Sequence, residues 1–148
     1  MSVTFYVVDP ALAPELEKLV DEMEQEDVLD DVENSAYDRF AATLAKAYRW
    51  ALELDDDAGE PAESFYEWFH DRISQHFDKL FLTAQESQKA LGTLEKLKAK
   101  QGLDKLLAGF WGPHDTYSRE TAAAYLEHAT MALQQAVAYN GLMVICYR

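Results

Sequence analysis

The sequence is poor in cysteine, glycine and proline, and its first sixty residues hold very little positive charge. Cys146 is the single thiol among 148 residues, so no disulfide forms within the chain and stability must come from packing. Six glycines and four prolines make neither a glycine-rich phosphate cradle nor a Gly-x-Ser-x-Gly elbow, which removes two common frameworks for nucleotide and acyl chemistry. No run approaches the ~18 apolar residues of a membrane-spanning helix. The start, Met1-Ser2-Val3-Thr4-Phe5, lacks the basic and then apolar pattern of a secretory signal. These absences point to a cytoplasmic protein of bacterial type.

Apolar residues make up 49% of the chain and charged residues 27%, a globular balance, and the length suits one domain spanning 1–148. The net charge of −14 is unevenly placed. Residues 1–60 carry 17 acids and 4 Lys/Arg, whereas residues 61–148 carry 10 acids and 9 Lys/Arg. A field of this sign repels nucleic-acid phosphates and anionic lipid and speeds encounter with a basic protein. The expected partner is therefore a basic protein, with no nucleic acid and no membrane.

Val3 to Val8 is β-branched and aromatic on both alternating faces and stops at Asp9-Pro10, which predicts a strand. Leu12, Leu16, Leu19, Val20 and Met23 follow helical spacing and predict a first helix over about 13–26. Ser35 suits the N-cap of a second helix with Tyr37, Phe40, Leu44, Ala47, Tyr48 and Ala51 inward, ending near Leu54. After the acidic connector Asp55 to Pro61, the spacing of Phe65, Trp68, Phe69, Ile73, His76, Phe77 and Leu80 predicts an aromatic core helix. Thr83-Ala84-Gln85-Glu86 is a capping box opening a helix that stops before Gly102, and Leu103 to Phe110 adds a short one. Ser118 begins a long helix through Ala122, Tyr125, Leu126, Ala129, Leu133, Ala136 and Val137, closing at Asn140-Gly141 before the strand Leu142 to Tyr147. The two terminal strands are expected to pair. The fold class is α+β, predominantly helical, with about five helices on a small sheet that includes both terminal strands.

From Leu82 onward, this order of capping box, connector with aromatics, long helix through Tyr125-Leu126 to Ala136-Val137-Ala138, Gly141 and apolar strand resembles the C-terminal half of the YfbM-like family of uncharacterised bacterial proteins. The resemblance covers under half of the chain. It implies a compact α+β domain and carries over no catalytic residue.

Chemistry-bearing residues are few. Glu67 and His70 lie three apart, the spacing at which di-iron bundles present two ligands, yet no other Glu precedes a His by three, and the second pair such a site needs is missing. Asp55-Asp56-Asp57 starts like a calcium loop, but Glu60 stands where glycine is required and Tyr66 where the closing glutamate belongs, which excludes an EF-hand. No metal and no cofactor is expected. His76 falls in the apolar stripe, and His128 follows Glu127 on the last helix, facing solvent. His114-Asp115 beside Trp111, in a loop with two glycines and a proline, is the most reactive-looking pair, since a loop histidine can act as general acid or base. Cys146 sits in an apolar run with no basic neighbour, so covalent catalysis has little support.

Between Glu15 and Glu33 there are ten carboxylates and one lysine. Like charges at neighbouring helical positions cost a few tenths of a kcal/mol per pair, roughly, and a positive partner relieves that cost. The leading expectation is a protein-binding module, an inhibitor or immunity-type protein, whose residues Glu22, Glu26, Asp27, Asp30 and Asp31 meet a basic partner. The alternative is a small-molecule or enzymatic pocket around Trp68, Phe69, Trp111, His114 and Asp115.

Overall fold

The computed structural model describes residues 2–25, 35–55, 67–69, 71, 73, 81–110 and 119–147. β1, Ser2–Val8, is built from the β-branched and aromatic opening of the chain and lies inside the sheet. It stops where Asp9 turns its side chain back, Oδ1 accepting from the amide of Ala11 at 2.9 Å, and Pro10 opens a short 3-10 turn. β4, Leu142–Tyr147, pairs with β1 antiparallel from Val3↔Tyr147 to Val8↔Leu142. The terminal strands thus form the centre of a four-stranded antiparallel sheet.

The second helix is shorter than its spacing predicts. α2 covers Ala36–Ala47, and the chain then passes directly into β2, Tyr48–Asp55, instead of continuing helical to Leu54. Ala51, Leu52, Glu53 and Leu54 are good helix formers, but pairing with β1 from Ser2↔Asp55 to Val8↔Tyr48 satisfies a whole row of amides that β1 would otherwise leave open. Tertiary pairing overrides local propensity here. The remaining strand, β3, is only Phe81–Leu82 and pairs with β4, giving the order β2-β1-β4-β3.

Alternation along the strands divides the apolar side chains into two cores, one on each face of the sheet. Phe5, Val7, Leu82, Met143 and Ile145 face α3 (Ala84–Gln101), α4 (Leu103–Leu107) and α5 (Arg119–Ala138), together with Trp68, Phe69 and Ile73. Val8, Phe81, Leu142, Val144 and Cys146 face α1 (Ala13–Gln25) and α2 through Leu16, Leu19, Phe40 and Leu44. The result is an α+β fold, predominantly helical, with helices packed on both faces of the small sheet.

Local chemistry sets the helix ends. Ser35 Oγ accepts from the amide of Asp38 at 3.1 Å and starts α2. Thr83 Oγ1 accepts from the amide of Glu86 at 3.1 Å while Glu86 Oε1 accepts from the amide of Thr83 at 3.0 Å, the reciprocal capping box that the sequence announces. Gly102 joins α3 to α4 at φ 81° and ψ 162°, a region that side chains with a Cβ avoid. Thr83→Ala removes one of the two reciprocal bonds and leaves the Glu86 amide uncapped. The expected loss is about 1 kcal/mol, read in a thermal melt as a fall of roughly 2–4 °C.

Candidate functional site

The acidic face is less one-sided than its composition suggests. Glu22 is half-buried and pairs with Arg39 of α2, Oε2 to Nη2 at 2.7 Å, an exposed ion pair of small net worth. Between α1 and α2 runs a shallow groove of about 400 Å³ lined by Glu15, Lys18, Leu19, Glu22, Arg39, Ala42, Thr43 and Lys46. Three of the four Lys/Arg residues of the first sixty therefore converge on this groove. Part of the expected like-charge penalty is relieved within the chain itself. Of the five proposed partner residues only Glu22 is placed; Glu26, Asp27, Asp30 and Asp31 lie outside the described residues.

A second concavity, of about 370 Å³, lies on the same side of the sheet, between α2 and the strands. Its lining is Thr4, Tyr6, Ala41, Ala42, Ala45, Glu53 and Cys146. Register explains its shape. Thr4 is opposite Cys146 on β4 and opposite Glu53 on β2, so these three side chains form one row across three strands on one face. The row runs from the buried thiol, through Thr4, to exposed Glu53 on the edge strand. α2 roofs it with alanines, whose small side chains leave the trough open.

The flanks of this trough are defined by contacts. Tyr37 on α2 brings its hydroxyl to 3.8 Å from Cys146 Sγ. The Tyr6 and Tyr48 rings lie 5.9 Å apart, tilted by 51°, and Tyr48 is 51% exposed, whereas Phe5, Phe40, Phe69 and Tyr125 are fully buried. Arg49 follows Tyr48 but is occupied: its guanidinium meets Asp9 Oδ2 at 2.8 Å and donates to the carbonyl of Tyr139 at 3.4 Å. Glu53 has no cation paired with it among the described residues. The trough thus offers a carboxylate mouth, a hydroxyl, a phenol and apolar walls. Among the described residues its lining includes no histidine or lysine to act as a base toward Cys146.

Of the five residues of the alternative pocket, two are described, and both belong to the core. Trp68 and Phe69 are buried, and the Trp68 ring lies 4.9 Å from that of Phe110 at 50°, inside the core under α3, α4 and α5. Trp111, His114 and Asp115 lie outside the described residues, as do His70 and His76. Glu67 is exposed, and His128 is half-buried rather than facing solvent, with its Nδ1 atom enclosed. Among the described residues no three His, Cys, Asp or Glu side chains converge as a metal site needs, and no helix is long and apolar enough to cross a membrane.

Sequence reasoning missed the trough because it read β2 as helix. The signal available was the alternation of Trp50, Leu52 and Leu54 with Ala51 and Glu53, a period of two hidden behind helix-forming residue types. Comparison of the chain with protein-family models, curated proteins and solved structures found no match.

Proposed function

We propose that this chain is a protein-binding domain of the bacterial cytoplasm, an inhibitor or immunity-type protein that presents its acidic N-terminal face to a basic protein. The observation that carries the reading is the placement of α1, α2, the Glu53 trough and exposed Tyr48 on one side of the sheet. Carboxylates there accelerate encounter, and a tyrosine is the kind of side chain that anchors an interface once water is expelled. Membership of the YfbM-like family is proposed beside it, supported by the order of elements from Leu82 to the final strand. The pocket reading takes second place because Trp68 and Phe69 are spent on the core.

Co-purification from the native host followed by mass spectrometry supplies the partner, and titration then tests the reading. Neutralising Glu22, Glu26, Asp27, Asp30 and Asp31 together to the amides is expected to slow association about tenfold or more at low salt, with little change in dissociation. Tyr48→Ala is expected to do the reverse, raising the dissociation rate by an amount equivalent to about 1–2 kcal/mol. Partner recovery unaffected by the five charge changes and by salt refutes the proposal.

A further inference from the structure

β2 is an open edge. It is eight residues long and pairs with β1 alone, so among the described residues no strand uses its outer row of amides and carbonyls. Proteins usually blunt such an edge with proline, lysine, bulges or short length. β2 has no proline and no lysine, and its one irregularity falls at the Val7/Val8 register, opposite its first residues. From Trp50 onward it is a regular strand whose outer side pairs with no strand among the described residues.

The chemistry beside that edge selects an occupant. Glu53 stands at the mouth of the trough with no cation paired to it among the described residues, in the first sixty residues, whose net charge is −13. A second copy of this chain would bring another −14 against it. An extended segment with Lys or Arg on alternate residues instead sets a cation opposite Glu53, with its alkyl stem against the trough's apolar lining. Resting on the proposed function, we infer that the partner is held by strand addition: an extended basic segment pairs antiparallel or parallel with β2 and places one cationic side chain at the Glu53 mouth.

A ten-residue capped peptide alternating lysine and valine is the probe, compared with the same peptide N-methylated along one edge and with an alternating glutamate–valine peptide. Strand addition predicts binding of the lysine peptide to the full chain and slowed hydrogen exchange at those amides of residues 50–54 that do not pair with β1. N-methylation should weaken binding about tenfold or more, and Glu53→Lys should weaken the unmodified peptide by a similar factor. Equal binding of the methylated and unmodified peptides overturns the inference and leaves only charge attraction, in which case the acidic-face reading stands. No binding by either peptide also overturns it, and the titration of the charge-neutralised chain against its native partner then decides the acidic-face reading independently of β2. Protection of the same amides before peptide is added, whether the chain sediments as monomer or dimer, assigns the edge to another occupant and likewise overturns it.

Discussion

Phe5→Ala is expected to destabilise the protein by about 3–5 kcal/mol, the cost of removing a large buried aromatic and leaving a cavity. Phe5 is fully buried on a strand flanked by β2 and β4, where it is opposite Leu52 on one side and Ile145 on the other. It faces the core that α3 and α5 close, so its ring is touched by strand neighbours and by the helical layer. The strands on either side are held by hydrogen bonds and cannot move in to fill the space. Against a total stability of about 5–15 kcal/mol for a domain, this one change removes a large share. In urea, with a slope of about 1–3 kcal/mol per molar, the midpoint should fall by roughly 2 M. A loss below about 1.5 kcal/mol would show that this core is loosely packed and able to collapse around the gap.

Gly141→Ala comes second, and its cost has a different origin. α5 ends with Asn140 at φ 50°, the amide of Asn140 bonding to the carbonyl of Val137 at 3.2 Å and that of Gly141 to Ala136 at 2.9 Å, a Schellman-type stop. Gly141 itself needs no left-handed backbone; it needs space. A Cβ there would stand 2.8 Å from the carbonyl oxygen of Val8 and 2.8 Å from Val7 Cγ1. The oxygen belongs to the backbone of β1 and cannot rotate away, so the β1 and β4 strands must separate where their pairing begins. The expected loss is about 1–3 kcal/mol. Asn140→Gly, which relieves the left-handed residue, should lie within about 0.5 kcal/mol of the parent. If Asn140→Gly proves the more damaging of the two, the close approach to Val8 is not what holds position 141.

Elements with a local cause were legible in the chain. The capping box at Thr83 and Glu86, the Ser35 cap, the Gly102 stop and the apolar periodicity of the last helix each depend on residues within a few positions of one another, and the structure contains them. The terminal strands were legible because β-branched and aromatic runs bounded by Pro10 and Gly141 have few alternatives. β2 was not. Its segment after Tyr48 carries helix-forming side chains at helical spacing, and only the unpaired edge of β1 makes the extended form the better one.

The candidate site follows the same division. The acidity of the first sixty residues can be read directly from composition. The pairing of Glu22 with Arg39 cannot, because it depends on α1 lying against α2. Nor can the trough, whose row of Cys146, Thr4 and Glu53 brings together residues from the end, the beginning and the middle of the chain. By itself the sequence determined the capped helix starts at Ser35 and Thr83, the stops at Gly102 and Asn140-Gly141, the terminal strands and the sign of the net charge, since propensity, capping and charge act over short stretches or simply add. Strand order, register and the outer position of β2 in the described sheet were decided by tertiary structure alone, because hydrogen-bond pairing between distant segments selects which side chains share a face.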